Sequence, residues 1–363
     1  MKIRTHLESL PAYTPIEPFE VLSARIGRSP DQIVKLDANE NPYGPLPVVR
    51  EALGKMEFPH IYPDPESRAL RKSLAKFTGV DEEYLLAGQG ADELIDLLMR
   101  VFLDPNDCIL SCPPTFGMYS FDAELNAASC IEVPRRADFS LDMEGIRKAV
   151  EIHQPKLFFI TSPNNPDGSL IDSKTMDELL SLPTLIVLDE AYIEFAGDDL
   201  GANLSRIREV PMRENLIVLR TFSKWAGLAG LRIGYGAFPL WLMPTLWKSK
   251  QPYNVNVAAS IAAQVSLEHT DELKKVVELL KEERARLFKA LQEIPYIKPY
   301  PTQSNFILCQ VVGRDAAELK ARLAQEHGVF IRYFNKPGLR DHIRISVGRP
   351  QDTDVLLKAL RKL

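Results

Sequence analysis

Short runs of consecutive apolar residues alternate along this chain with longer stretches whose apolar positions recur every three or four residues. The runs Cys108-Ile-Leu, Leu157-Phe-Phe-Ile, Leu185-Ile-Val-Leu and Leu216-Ile-Val-Leu have the length and density of buried strands. Between them lie helical patterns. One runs from Glu66 to Thr78 and is closed by Gly79; another follows Gly88-Gln-Gly-Ala-Asp-Glu93 through Leu94, Ile95, Leu97, Leu98, Val101 and Phe102. A charged amphipathic helix is predicted from about 270 to 293, with Leu273, Val276, Val277, Leu280, Leu287 and Leu291 on its apolar side. Beyond it, strands at 304–312, 329–333 and 343–347 alternate with helices at 315–326 and from 352 onward, which makes a small α/β unit. The first 35 residues are broken by prolines and read as an arm.

Composition narrows the class. A chain of 363 residues with 45% apolar and 26% charged residues suits a globular protein with one large and one small domain. A net charge of −5 argues against a nucleic-acid binder. The four cysteines (108, 112, 130 and 309) and six histidines show no ligand spacing, so no metal site is expected, and the thiols read as free and mostly buried. The N-terminus lacks an apolar leader, and no apolar run reaches membrane-spanning length; a cytoplasmic protein is expected.

The chemistry concentrates in the stretch from Leu219 to Gly236. Thr221 and Ser223 offer hydroxyls, Lys224 an amine, Arg232 a guanidinium, and the glycines let backbone approach a ligand closely. A lysine set among phosphate donors is where the aldehyde of pyridoxal phosphate would be held covalently. Asp189, at the end of a buried run, supports this. A lone carboxylate there is costly, and a protonated pyridine nitrogen would balance it. Gly88-Gln-Gly90 opens a helix whose free amides could bind an anion, although a glycine turn with an aspartate cap would look the same.

The order of these motifs resembles the fold-type I aminotransferases, most closely their histidinol-phosphate branch, over residues from about 10 to 350. The resemblance implies an α/β fold: a large domain with a mostly parallel mixed sheet flanked by helices, plus a smaller α/β domain. Domain limits of 1–35 (arm), 36–260 and 261–363 follow. It implies pyridoxal 5'-phosphate as cofactor, bonded to Lys224. Its phosphate would be held by Thr221, Ser223, Arg232, the amides of Ala91 and Asp92, and Tyr62 from a partner subunit in a homodimer. Phe116 would stack on the cofactor ring, Asp189 would face the ring nitrogen, and Asn165 and Tyr192 would reach the phenolic oxygen. Tyr13, Asn39, Arg332 and Arg344 would contact substrate, the two arginines gripping carboxylate or phosphate. Tyr253 or Asn254 would lie near the partner's site. The family's Asn-Pro-Thr-Gly turn reads Asn165-Pro-Asp-Gly168 here, which leaves its local hydrogen bonding open.

The implied reaction is transamination between L-histidinol phosphate and 2-oxoglutarate, giving imidazole acetol phosphate and L-glutamate, in histidine biosynthesis. A threonine-phosphate decarboxylase and an aromatic-amino-acid aminotransferase share the scaffold. A ligand-sensing regulator would need a DNA-binding domain ahead of these motifs, where the chain offers no room.

Overall fold

The computed structural model describes residues 2–8, 10–11 and 17–363. Its strands are β1 (Val34–Leu36), β2 (Leu85–Gly88), β3 (Cys108–Ser111), β4 (Ser129–Glu132), β5 (Leu157–Thr161) and β6 (Leu185–Asp189). Then come β7 (Leu216–Thr221), β8 (Gly234–Ala237), β9 (Ile297–Pro299), β10 (Phe306–Val311), β11 (Val329–Tyr333) and β12 (His342–Ser346). They form two sheets. The larger has the order β2-β8-β7-β6-β5-β3-β4, with β8 antiparallel to both neighbours and the remaining pairs parallel.

Every residue of β5, β6 and β7 is buried, which is why these runs are continuously apolar rather than alternating. Side chains still alternate between faces. Phe158, Ile160, Ile186, Leu188, Leu216 and Val218 join one core with Leu70, Leu74 and Ala259 from the covering helices. Leu157, Phe159, Leu185, Val187, Ile217 and Leu219 join the other, under the helix Gly90–Phe102. That parity puts Thr161, Asp189 and Thr221 on the second face at the carboxyl ends of three neighbouring parallel strands, where α/β sheets place their ligands.

The smaller sheet has the order β1-β11-β12-β10-β9, so a strand from before residue 37 pairs with the C-terminal part of the chain. The helices Thr270–Gln292, Ala316–His327 and Pro350–Lys362 pack on it through Leu287, Leu291, Leu319, Leu323, Leu356 and Leu360. Three local expectations are corrected. The last helix starts at Pro350 rather than Asp352, because a proline in the first turn is already fixed at helical φ. The run Leu231-Arg-Ile-Gly-Tyr alternates as a strand would, but β8 starts only at Gly234, since Arg232 is left-handed, with φ 53°. Cys112 and Cys309 are buried, but Cys108 and Cys130 are partly exposed.

Candidate active site

The loop from β7 to β8 is anchored by aromatics on the sheet's first face. Phe222 and Trp225 are fully buried and stack on each other at 5.6 Å, Phe77 stacks on Trp225 at 5.5 Å, and the indole N–H donates to the Thr221 carbonyl at 3.1 Å. Gly227, with φ 69°, passes so close to Gly44 that an added Cβ would lie 2.4 Å from that backbone. With its neighbours pinned, Lys224 extends to the other side, and its Nζ donates to the Ala38 carbonyl at 3.1 Å. Burial, aided by the positive charge of Arg344, lowers its pKa to about 8.

Around the lysine, Thr221 Oγ1 lies 2.9 Å from Ser223 Oγ and accepts from the Ser223 amide at 3.1 Å. Arg232 reaches the first turn of the helix Gly90–Phe102, donating to Asp92 Oδ2 at 2.7 Å. The approach is tight. A Cβ on Gly90 would lie 2.8 Å from the Arg232 guanidinium, and one on Gly234 would lie 2.6 Å from the Ala91 amide nitrogen. Two hydroxyls, a guanidinium and the open amides of a helix N-terminus thus converge, a donor set suited to phosphate.

Asp189 ends β6 and is 4% exposed. Its Oδ2 accepts from the Tyr119 hydroxyl at 2.6 Å and its Oδ1 from the Ala191 amide at 3.0 Å. Burial raises its pKa to about 6, against the pull of the Tyr119 hydrogen bond. Nearby, the Tyr192 hydroxyl accepts from Asn39 Nδ2 at 3.0 Å. Asn39 is itself held in a left-handed conformation (φ 55°) by Ser346 on β12 and by Asn305, just ahead of β10.

From that sheet come the two arginines. Arg332 on β11 is directly opposite Arg344 on β12, so both project from one face. Arg344 donates to Asn165 Oδ1 at 2.5 Å and to the Asp37 carbonyl at 2.9 Å, and its guanidinium lies 5.2 Å from the Phe306 ring centroid and 5.6 Å from that of Phe334. Arg332 lies 6.0 Å from the Phe334 centroid. The turn that presents Asn165 is intact. Asp167, where threonine is usual, accepts from the Asn164 side chain and from the Ser169 amide, and Gly168 is left-handed with Thr302 packed where a Cβ would be.

Residues 31–360 match the family model described as "Aminotransferase class I and II". The chain is 58% identical over 360 residues to the histidinol-phosphate aminotransferase, chloroplastic, of Nicotiana tabacum, covering 99% of this chain and 86% of that one. It is 49% identical over 369 residues to the histidinol-phosphate aminotransferase of Roseiflexus castenholzii, covering 99% and 98%. The chain belongs to the class I and II aminotransferases, on their histidinol-phosphate branch. The crystal structure of histidinol-phosphate aminotransferase from Sinorhizobium meliloti in complex with pyridoxal-5'-phosphate superposes on this aminotransferase with a TM-score of 0.90 at 28% identity, covering 99% and 98% of the two chains. The expected fold class holds.

In this aminotransferase one cavity of about 680 Å³ brings together Asn39, Ala91, Asp92, Phe116, Asn165, Asp189, Tyr192, Thr221, Ser223, Lys224, Arg232, Arg332 and Arg344. Tyr62 is not among its walls. It is 80% exposed and stacks on Tyr253 at 4.7 Å. Asn254, beside Tyr253, is buried, donating to the Ala87 carbonyl and to Glu93. Tyr13 lies outside the described residues. Sequence reasoning passed over Tyr119, the hydroxyl partner of Asp189, and Arg135 and Lys336 on the cavity wall. No local pattern marks Tyr119, because Phe116 lies ahead of the helix Met118–Leu125 rather than on it.

Proposed function

We propose that this chain is a pyridoxal 5'-phosphate-dependent transaminase that exchanges an amino group between L-histidinol phosphate and 2-oxoglutarate, as a step of histidine biosynthesis. The observation that carries this reading is the meeting, in one cavity, of Lys224 and Asp189 from the larger sheet with the Arg332–Arg344 pair from the smaller. The donor set fits the cofactor. Thr221, Ser223, Arg232 and the amides of Ala91 and Asp92 suit its phosphate, the buried Asp189 suits a ring cation, and Lys224, with its pKa lowered to about 8, suits an aldehyde. When bound, pyridoxal phosphate supplies an aldehyde that takes up the substrate amine and a protonated ring that accepts the electron pair left at Cα.

The chain's own groups do the rest. Lys224 Nζ removes the substrate's Cα proton as general base and, once protonated, serves as the general acid. Asn165 and Tyr192 would hold the cofactor's phenolic oxygen, and Phe116 would lie against its ring. Arg332 and Arg344 hold the anion beside the reacting carbon, the α-carboxylate or the phosphate that stands in its place. Histidinol phosphate carries a phosphate where glutamate carries a carboxylate, and a planar guanidinium fork accepts either. Asn39 borders the same pocket and orients Tyr192. The chain works as a homodimer in which Tyr62 reaches the neighbouring site. Residues 36–260 form the cofactor domain and 261–363 the smaller one, completed by β1, which spans the junction between the 1–35 arm and residue 36. The free thiols of all four cysteines suit a cytoplasmic setting.

The test is an assay of purified protein with histidinol phosphate and 2-oxoglutarate, beside threonine phosphate and phenylalanine. Turnover is expected with the first pair, and Lys224→Ala should abolish both turnover and the borohydride-reducible cofactor adduct. Carbon dioxide release from threonine phosphate, or full activity of Lys224→Ala, would refute the reading.

A further inference from the structure

Tyr119 is fully buried in the first turn of the helix Met118–Leu125. Its ring is stacked on Phe159 at 4.9 Å and meets Phe116 edge-on at 5.5 Å, so the hydroxyl has one place to go. That place lies 2.6 Å from Asp189 Oδ2 and 2.9 Å from Thr161 Oγ1. The direction of the bonds follows from who can donate. An ionised carboxylate only accepts, so Tyr119 gives its proton to Asp189. Thr115 donates to Asn164 Oδ1 at 3.0 Å, so the one Thr161 hydroxyl proton has two acceptors, the Thr115 oxygen at 3.3 Å and the Tyr119 oxygen at 2.9 Å, and the shorter contact favours Tyr119. The result is an ordered relay, Thr161 to Tyr119 to Asp189, in which each donation strengthens the next. Burial and the neighbouring carboxylate keep the Tyr119 hydroxyl protonated, so it is a permanent donor.

We propose that Tyr119 is a positioning residue for this enzyme: its hydroxyl keeps the Asp189 carboxylate ionised and aimed, so that the acid can hold the cofactor's ring cation. The proposal rests on the reading that Asp189 faces the ring nitrogen. Two other charges act on Asp189: Asp92, from the helix Gly90–Phe102, and Glu190, next along the chain. Both disfavour its ionisation. Lys224, Arg232, Tyr192 and Arg344 line the same cavity. Against burial and two acidic neighbours, the donors on Asp189 are the Ala191 amide and Tyr119, and only the second can be removed by a side-chain substitution.

Tyr119→Phe keeps the ring and deletes the donor. The holoenzyme is dialysed to equilibrium at a series of acid pH values, and cofactor retention is read from its absorbance. Protonation of Asp189 ends its attraction for a ring cation, so the release midpoint should move to higher pH by about one unit in Tyr119→Phe, the worth of a hydrogen bond to a charged group. Thr161→Val should move it the same way by less. In steady state kcat should fall roughly tenfold with KM for histidinol phosphate unchanged, because Tyr119 touches no substrate. An unmoved midpoint in Tyr119→Phe overturns the proposal; if that variant does not fold, an unmoved midpoint in Thr161→Val does so. Asp189→Asn separates the two levels. If it leaves the acid limb intact, the placement of Asp189 is wrong. If it removes the limb while Tyr119→Phe changes nothing, only the role of Tyr119 falls.

Discussion

An amine that has lost its water and faces a guanidinium holds its proton less tightly, and Lys224 is in that position. The cofactor-free protein should therefore capture pyridoxal phosphate with a rate that rises with pH, passes its midpoint near pH 8 and levels off above it, because only the neutral amine attacks an aldehyde. Stopped-flow absorbance would check this, and a rate flat between pH 6.5 and 9 would contradict it. Legibility at this scale followed the kind of bond involved. Lys224, Asp189 and Arg232 could be picked out because their chemistry requires those side chains in that order. Tyr119 could not, since a tyrosine in a helix's first turn looks like any core aromatic until the fold sets it against Asp189, 70 residues away in sequence. Asn165 shows the same limit. Its carbonyl oxygen accepts from Arg344, a contact spanning 179 residues and two sheets that no local pattern encodes.

Strands β6 and β7 carry different chemistry on their two faces. Behind Asp189 and Thr221 sit Glu190 and Arg220, both buried, paired at 3.0 Å, with Glu194 a further 3.8 Å from the guanidinium. Ser205 and the Arg206 amide complete the bonding of Glu190, while both Glu194 oxygens lack a hydrogen-bond partner. Arg220→Met would leave two buried acids without their cation and should cost about 3–5 kcal/mol in denaturant unfolding, with part regained on adding Glu190→Gln. Glu194 gives a sign that can be tested. Burial raises its pKa to about 8 in spite of Arg220, above its ordinary 4.5, so the stability it contributes is full at acid pH and is lost as pH rises through 8. Glu194→Gln should therefore flatten the fall in melting temperature between about pH 4.5 and 8. The strands themselves were plain in the sequence because both faces are covered. The pair behind them was not, since a charged residue at the end of an apolar run reads as the point where a strand meets solvent.

For the whole molecule, the exposed group Phe58, Ile61 and Tyr62 (60%, 54% and 80% accessible), with Tyr253 stacked on Tyr62, is the surface that the proposed homodimer would cover. Sedimentation should give a dimer. Mixing Lys224→Ala with Tyr62→Ala under subunit exchange should restore turnover that each lacks alone, because one hybrid site keeps both residues; additive residual activity would mean that sites are not shared. The stretch from β1 to Asn39 carries one more consequence. It is a strand of the smaller sheet at one end, while at the other its Ala38 carbonyl accepts a hydrogen bond from Lys224 and its Asn39 amide donates to Tyr192. A swing of the smaller sheet would pull on this leash and loosen the hold on the lysine and the tyrosine together.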